Sequence, residues 1–327
     1  SFNEETVFDM FPNPKRASFP NHIYSDKKIP LLKQAAIYGA NGAGKSNFVK
    51  ALIFLRNFII DEDFLKNITL DDFFFQLTDR VQKTISFEVE FYTHGRYLVY
   101  SVDIDETTIS ESLLVSGLGT VTDQPVFKRI GKKLIAKTVQ NVDSATKLLE
   151  MNTHSSLLPL NQKFPVLPND EVRDAYAWFM EKMVIVTVNS SVPALIHMMS
   201  KWPDMMAFTN DLFTKTGVGI QSFSVSNQPL DEWMTHHQRY KDIQHLIEQD
   251  PLKPDTAISR MENNRNIFAV TMVNGLKMAQ ELIFEQIGQH GFKKGMKISA
   301  QSEGTVRLLN LIPAMYDAIK HEKVVIV

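Results

Sequence analysis

The sequence predicts an α/β fold in which a phosphate-binding loop joins a strand to a helix. Residues 39–46 read GANGAGKS, a glycine-rich run that ends in lysine and serine. The apolar stretch LLKQAAIY at 31–38, which is of strand type, precedes this run. The long apolar stretch SNFVKALIFLRNFII at 46–60, which is of helix type, follows it. Strand, loop and helix in this order are the context that a phosphate-binding loop requires.

The glycine-rich run matches the pattern G-x-x-x-x-G-K-[ST] at every fixed position. Glycines let the backbone curl so that its N–H groups point at phosphate oxygens, and the following helix presents its positive end. Lys45, the predicted catalytic residue, would reach the β- and γ-phosphates, and the Ser46 hydroxyl would hold Mg²⁺. The predicted ATP-binding residues are Gly39, Ala40, Asn41, Gly42, Ala43, Gly44, Lys45 and Ser46. An ordinary glycine turn is the alternative interpretation.

A second informative stretch lies at 297–327, KISAQSEGTVRLLNLIPAMYDAIKHEKVVIV. Val306, Leu309, Ile312 and Tyr316 recur at helical spacing, which predicts a helix after residues 302–305. Ser302 or Thr305 could cap this helix, and Pro313 should kink it or lie where a hydrogen bond is spared. Taken alone, the stretch is more typical of an ordinary capped helix start than of a functional motif.

Together, YGANGAGKSNFVKAL and SEGTVRLLNLIPAMYDAI, with KVVIV after them, resemble the ABC-type ATPases of prokaryotic antiphage-defence and abortive-infection systems. These AAA15/AAA21-like proteins include the ATPase subunits of PARIS, Septu and certain retron systems, and they are related to the OLD, RecF, Rad50 and SMC ATPases. The resemblance is close at the two ends and extends through the middle only as a pattern of strands and helices. It implies a P-loop NTPase fold, an ABC-ATPase-like head with an antiparallel β subdomain and a helical insertion.

The resemblance also implies a mechanism. In this family two heads face each other, and ATP on the Walker A loop of one head is covered by the signature motif of the other. The matching signature residues, acting in trans, are Ser302, Glu303, Gly304 and Thr305. ATP and Mg²⁺ are the implied cofactors. The implied partners are a second copy of the chain, or several copies, and an effector protein such as a nuclease or toxin.

Two family features have no clear counterpart in the sequence. KVVIV at 323–327 resembles the Walker B strand, but the aspartate and glutamate that follow it in the family are absent. Because the chain starts with Ser1 and stops inside this apolar run, we expect a fragment of a longer protein and attribute ATP hydrolysis to that parent. For the Q-loop glutamine, Gln76 and Gln162 are candidates, although a surface glutamine is the favoured interpretation of each.

The predicted domain organisation has three parts. Residues 1–60 and 296–327 form a discontinuous nucleotide-binding core, residues 61–180 a mainly antiparallel β subdomain, and residues 181–295 a mainly helical insertion with one β-hairpin. Alternating residues predict hairpins at 84–104 and 126–139, and the Asn274-Gly275 pair predicts another within 266–286. Helix followed by strand is predicted at 173–191.

Residues 192–264 are predicted to be mostly helical, with one helix over 230–250 that ends before Pro251. The helical histidines 236, 237 and 245 lack metal-ligand spacing, so a solvated helix face is favoured over a metal site. The acidic run at 61–75 is interpreted as a solvated loop rather than a nuclease-like metal cluster. The methionines within 196–206 are interpreted as core rather than as a partner surface.

The bulk composition is that of a soluble globular protein without a preferred class of partner. Lys plus Arg (35) nearly cancels Asp plus Glu (37), so net charge does not support nucleic-acid binding, although a local basic face remains possible. The basic patches at 13–16 and 25–28 are too short to indicate a DNA track. There is no cysteine, which excludes disulfides and cysteine-ligated zinc. With no signal-peptide pattern and no apolar run of membrane-spanning length, we expect a cytoplasmic protein without membrane partners.

The leading functional hypothesis is therefore the ATP-binding and, in the full-length protein, ATP-hydrolysing subunit of an antiphage defence system. It would assemble through ATP and control an effector. One alternative is a DNA-maintenance ATPase of the RecF or SMC-like kind, which a basic groove and salt-dependent DNA binding would favour. Another is a nucleotide-dependent scaffold that barely hydrolyses ATP.

Overall fold

A computed structural model describes residues 2, 4–13, 19–25, 29–77, 83–187, 190, 192–249, 252–253 and 255–327. The chain divides into two compact units, Ser1–Met183 and Val184–Val327. The three-part division predicted from the sequence is a different partition, and it stays a prediction.

The first unit is built around a five-stranded antiparallel sheet with strand order β3-β4-β5-β6-β7. A π-helical turn at Trp178–Lys182 follows its last α-helix. The elements in chain order are β1 (Ile23–Ser25), β2 (Pro30–Leu32), α1 (Lys45–Ile60), β3 (Ile85–Thr93), β4 (Arg96–Ile104), β5 (Ile109–Val115), β6 (Gln124–Ile130), β7 (Lys133–Ala136), α2 (Val142–Met151), α3 (Leu157–Lys163) and α4 (Asp170–Ala177).

Helix α1 forms as the sequence predicts and contributes a buried aromatic face. Phe54, Leu55, Phe58 and Ile59 are each at most 2% exposed. The Phe54 ring lies 5.9 Å from the ring of Phe87 on β3, centroid to centroid. Burial of four large apolar side chains stabilises the folded state by about 6–12 kcal/mol before entropy losses, so packing rather than helix propensity holds α1 in place.

A buried polar network crosses the middle of this sheet. Arg129 on β6 and Glu111 on β5 form a fully buried ion pair, with 2.9 Å between Nη1 and Oε1. Tyr100 donates to Glu111 at 2.7 Å, and the Leu157 amide donates to the same carboxylate at 2.7 Å. Burial, and then the charge of Glu111, raises the pKa of Tyr100 well above its ordinary value. Because each charge has several partners, this network avoids the cost of an isolated buried ion.

The strand predicted at 31–38 forms only in part. Strand β2 covers Pro30–Leu32 and pairs with β1, whereas residues 33–40 have no regular secondary structure. Ile37 and Tyr38 are 45% and 90% exposed. An extended segment is stable only when a neighbouring strand satisfies its backbone groups, and no described strand pairs with 33–38.

The second unit combines helices with a five-stranded antiparallel sheet in which β9 and β12 pair along most of their length. The path β10-β11-β12-β13 completes this sheet, and β14 pairs with β8 at the start of the unit. The elements in chain order are β8 (Met183–Ile185), α5 (Leu195–Lys201), α6 (Pro203–Thr216), β9 (Ile220–Pro229), α7 (Leu230–His236), α8 (Asp242–Gln249), β10 (Ala257–Glu262), β11 (Arg265–Val273), β12 (Leu276–Ile287), β13 (Lys293–Lys297), α9 (Glu303–Lys320) and β14 (Val324–Ile326).

Helix α9 packs into the main core of the second unit through the residues that the sequence singled out. Val306, Leu309 and Ile312 are at most 2% exposed, and Tyr316 packs against the same cluster. Met199 and Met205 lie in this cluster too, which confirms their interpretation as core residues. The helix runs unbroken from Glu303 to Lys320 with Pro313 inside it.

The prediction that 192–264 is mostly helical is wrong in two places, because β9 and β10 lie within it. In β9, Phe223 is buried while its neighbours Ser222 and Ser224 are not, an alternation that is typical of a strand with one buried face. The ten-residue strand finds a long partner in β12, which outweighs the weak local preference of its serines.

The single helix predicted over 230–250 is also wrong, because the chain breaks at His237. The His237 ring stacks on Trp233 with centroids 3.9 Å apart and pairs with the Trp233 carbonyl oxygen through Nδ1. After the break, Tyr240 and Ile243 join Trp233 in a second apolar cluster around Phe268. The bend therefore buries both helical segments against one patch of the sheet.

The predicted hairpins are confirmed. β3 and β4 join at His94-Gly95, β6 and β7 pair as expected, and β11 and β12 join at Asn274-Gly275. Both residues of the last turn have positive φ, 51° and 80°. This conformation is the reason why Asn-Gly marks two-residue hairpins. Of the basic patches noted in the sequence, 14–16 and 26–28 lie outside the described residues.

Candidate nucleotide-binding site

The glycine-rich loop leads into a helix whose first turn has no side-chain cap. Gly44 is the residue before α1 and has φ of 91°, a conformation that favours glycine. Among the described residues, no side chain caps the first turn of α1. The amides of Lys45, Ser46 and Asn47 lack partners within the helix because of their position. These amides, together with the helix dipole, form a binding surface for an anion.

The Lys45 ammonium lies over the same loop. Its Nζ donates to the carbonyl oxygens of Gly39 and Ala40 at 2.7 and 2.8 Å. The Ala43 amide also donates to Ala40, which closes a tight turn within the loop. A full positive charge therefore stands next to the positive end of α1, and both attract the same kind of ligand.

An aromatic ring that the sequence analysis did not assign contacts this loop. A Cβ atom added to Gly44 would lie 3.2 Å from Cε1 of Phe2. The neighbouring Phe8 ring lies 5.1 Å from Phe48 on α1, centroid to centroid. The phenylalanines in the first eleven residues were the available signal, but nothing in their spacing indicates which one reaches the loop.

The far side of α1 is anchored by Arg56. Its guanidinium donates to the carbonyl oxygens of Phe179, Met180 and Met183 at 3.2, 3.1 and 2.9 Å. These carbonyls lie at the end of the π-helical turn, where no further turn supplies N–H donors to them. Burial lowers the pKa of Arg56 from its ordinary value. The helix that carries the loop is thus fixed to a second element by a charged side chain.

These observations fit the phosphates of a nucleotide with Mg²⁺. The loop offers unpaired amides and an ammonium, and Ser46 in the first turn is exposed. A hydroxyl in that place is suited to hold a Mg²⁺ ion that also binds phosphate oxygens.

The signature residues form a different kind of helix start in the second unit. The Ser302 Oγ accepts a hydrogen bond from the Thr305 amide at 3.2 Å, so Ser302 is the N-cap of α9. The Thr305 hydroxyl lies 3.0 Å from the same oxygen. If the Thr305 hydroxyl donates in this contact, the Ser302 proton is free to be donated to an outside acceptor.

Gly304 leaves the start of α9 open. Its φ is not positive, and an added Cβ would meet only Ser302 Oγ, at an ordinary 3.9 Å. The surrounding chain therefore does not require glycine here. A glycine in such a place is typical of sites where another group approaches the backbone closely.

Arg265, at the start of β11, ties the signature residues to the β10–β11 turn. Its Nη2 donates to the Gln301 carbonyl oxygen at 3.1 Å and lies 3.0 Å from Oε1 of Glu303. In the same turn, the Asn264 carbonyl accepts from Asn310 of α9 at 3.1 Å. Residues on either side of Ser302 are therefore fixed by one side chain. No sequence pattern predicts this contact, because 36 or more positions separate the partners.

Neither Q-loop candidate is linked to the loop at 39–46. Gln76 donates to the Asp71 carbonyl oxygen at 2.7 Å, within its own segment. Gln162 lines a charged cleft with His94, Arg96 and Asp174. Among the hydrogen bonds of the described residues, none joins either glutamine to 39–46.

The described residues contain no group of three or more His, Cys, Asp or Glu placed to hold a metal ion. Of the helices in the described part of the chain, none has both the length and the apolar character needed to cross a bilayer.

Part of the chain is similar to a known protein family. Residues 35–190 match the family described as "AAA domain, putative AbiEii toxin, Type IV TA system". No curated protein matches the chain. The matched range contains the glycine-rich loop, α1 and the antiparallel sheet, and a mixed α/β structure with antiparallel sheets agrees with a P-loop NTPase fold. The match supports an AAA/ABC-like ATPase family, with a nucleotide-binding, ATPase-like domain in this chain.

Proposed function

We propose that the chain is the ATP-binding part of an ABC-type ATPase of an antiphage defence system. Two copies would join across ATP, with the Walker A loop of one and the signature residues of the other on opposite sides of the phosphates. The assembly would then control an effector protein such as a nuclease or toxin. The abortive-infection context in the matched family's description supports the defence role.

In this proposal each residue of the loop has one task. Lys45 exchanges its two carbonyl contacts for the β- and γ-phosphates, and its charge stabilises them. The amides at the start of α1 bind phosphate oxygens, and Ser46 holds Mg²⁺. The nucleotide supplies the phosphoanhydride bond whose hydrolysis would release the two copies. None of the residues assigned here is a base for that step, so binding and assembly are the core of the proposal.

The signature residues would complete the site from the second copy. Ser302 donates its hydroxyl proton to a γ-phosphate oxygen while its oxygen still caps α9. Gly304 allows close approach, and the α9 dipole favours the negative charge. Glu303 would not touch phosphate, since two negative groups repel; its partner is Arg265.

The observation that carries the proposal is the uncapped start of α1 with Lys45 lying on its loop. The amides at the exposed start of α1 have no partner within the helix, and a bound anion is one of the groups that can satisfy them. The choice of ATP as the nucleotide and the assembly of two copies are supported by the resemblance to ABC-type ATPases, and the following experiment tests both.

The test is sedimentation velocity with Mg²⁺ and a slowly hydrolysed ATP analogue, on wild type, Lys45→Ala and Ser302→Arg. Lys50→Ala is the control for the first variant, because Lys50 is exposed on the same helix. Asn141→Arg is the control for the second, because Asn141 caps α2 as Ser302 caps α9.

We expect nucleotide-dependent association in wild type and both controls, and its loss in both test variants. Lys45→Ala should lose nucleotide binding as well, whereas Ser302→Arg should still bind nucleotide as a monomer. If Ser302→Arg associates like wild type, the trans site is wrong and the protein is a one-sided P-loop NTPase. Unchanged nucleotide binding in Lys45→Ala would reject the Walker A assignment.

A further inference from the structure

The β6–β7 hairpin carries an unusual concentration of positive charge. Residues 124–142 contain five Lys or Arg and no Asp or Glu, in a chain whose net charge is −2. Arg129 is buried against Glu111, which leaves four lysines. Two isoleucines lie among these lysines, and together the six residues are called the lysine face: Lys128, Lys132, Lys133, Lys137, Ile130 and Ile135.

Strand alternation places four residues of the lysine face on the solvent side of the sheet, and Lys132 and Lys137 are exposed just before and after β7. Along β6, Lys128 and Ile130 are exposed while Arg129 between them is buried. On β7, the edge strand, Lys133 and Ile135 are exposed. Lys128 lies opposite Ile135, and Ile130 lies opposite Lys133, so the register brings charged and apolar side chains onto one surface.

The four lysines are not neutralised by the protein. Among the ion pairs of the described residues, none involves them, whereas Lys66, Lys83 and Lys163 each pair with a carboxylate. The neighbouring strand β5 presents serines to the same side, with Ser112 opposite Lys128. In the strand register, the next acidic residue on this face is Asp103 on β4, which already accepts a hydrogen bond from Ser86. The four lysines therefore form a cationic surface without an ion pair among the described residues.

Its dimensions fit an extended polyanion. From Lys133 on β7 to Lys137 just after it, four residue steps of chain span at most about 13 Å. That length corresponds to about four base-pair steps at about 3.4 Å per step. The face has no aromatic side chain on which bases could stack, so contact would be with phosphate and sugar.

We propose that the lysine face binds the phosphate backbone of duplex DNA, without sequence preference. The four ammonium groups contact phosphates, and the two isoleucines cover sugar carbons between them. This function goes beyond nucleotide binding and does not depend on it, because no residue of the loop at 39–46 takes part.

The test is fluorescence anisotropy of a labelled 20-base-pair DNA duplex titrated with the full chain between 50 and 200 mM salt. Each neutralised phosphate contributes about −0.9 to the slope of log K against log salt, so four contacts predict about −3.6. Affinity should then fall about 100-fold over this range. In the double variant Lys133→Gln with Lys137→Gln the slope should halve, and affinity should fall only about tenfold.

Two control variants separate this proposal from general electrostatics and from the ATP site. Lys66→Gln with Lys83→Gln removes the same charge from exposed lysines elsewhere and should keep the wild-type slope. Lys45→Ala should bind the duplex like wild type. The proposal is overturned if the hairpin variant keeps the wild-type slope, or if Lys45→Ala alone loses the duplex. It is also overturned if a polyglutamate peptide of equal charge displaces the duplex as well as unlabelled duplex does, since the surface would then recognise acidic protein.

Discussion

Two helix starts in this protein differ in a way that separates anion binding from helix capping. Helix α1 begins after Gly44, has no side-chain cap and leaves its first amides open. Helix α9 begins after Ser302, whose hydroxyl oxygen already accepts the Thr305 amide. An uncapped start leaves all of its first amides to outside acceptors, whereas the Ser302 cap satisfies only the Thr305 amide. A phosphate contact at α9 can therefore use the serine proton and the Glu303 and Gly304 amides, but not the capped Thr305 amide.

The largest effect that tests this difference is expected at Lys45. Replacing Lys45 with Ala removes the charge that stands beside the open amides of α1. Loss of two charge-assisted contacts should cost about 3 kcal/mol, which is about a 100-fold loss in ATP affinity. Isothermal titration calorimetry with Mg²⁺ checks this, and Lys50→Ala should bind within about twofold of wild type. An equal loss in both variants would mean that general charge, not the loop, determines affinity.

A smaller effect, on the free energy of unfolding, is expected at two glycines of the loop, whose alanine variants can be compared with each other. Gly42→Ala and Gly44→Ala both force alanine to positive φ, at a cost of about 1–2 kcal/mol each. Only Gly44→Ala also brings a Cβ to 3.2 Å from Phe2. Urea unfolding should therefore show Gly44→Ala to be the less stable variant, and adding Phe2→Ala should bring it to the level of Gly42→Ala. Equal stability of the two single variants would exclude a Phe2 contact in solution.

Substitutions at Ser302 can separate the cap from the phosphate contact. Ser302→Asp keeps a capping oxygen, so unfolding stability should stay near wild type, but its charge should repel ATP and prevent nucleotide-dependent association. Ser302→Ala loses the cap and should cost about 1 kcal/mol of stability. Thermal unfolding and sedimentation together check both variants. If Ser302→Asp associates at the same nucleotide concentrations as the wild-type protein, the start of α9 does not face phosphate.

The smallest effect is expected for the ion pair between Arg265 and Glu303. Glu303 is 68% exposed, so the pair itself should contribute no more than about 1 kcal/mol, or about fivefold in assembly. Arg265→Gln also loses the contact to Gln301 and should weaken assembly more than Glu303→Gln. A double-mutant cycle measured by sedimentation isolates the pair. Strictly additive single effects would mean that the pair does not position Ser302.

The sequence was most informative where structure is decided locally. The loop pattern, helix α1 and the Asn274-Gly275 hairpin all follow from residues that are neighbours in the chain. The helical spacing of Val306, Leu309 and Ile312 likewise predicted the buried side of α9. Steric and periodic rules operate over these short distances, so one sequence is enough to apply them.

Long-range contacts explain what the sequence did not predict. Strand β9 forms because β12 pairs with it, about 50 or more residues away. The chain breaks at His237 because both flanking segments pack around Phe268. Arg265 reaches the signature residues only through the folded sheet. The strand predicted before the loop forms only in part because it lacks such a long-range partner: no described strand pairs with residues 33–38.

The buried Arg129–Glu111 pair has a consequence for how the antiparallel sheet avoids misfolding. Arg129 lies between two exposed residues of the lysine face, Lys128 and Ile130. If β6 slipped by one residue against β5, Lys128 or Ile130 would turn inward and Arg129 would turn to solvent. Glu111 would then be a buried carboxylate without its guanidinium, at a cost of about 3–5 kcal/mol. The pair thus selects against misaligned forms of the sheet, and by doing so it determines that the lysines face outward.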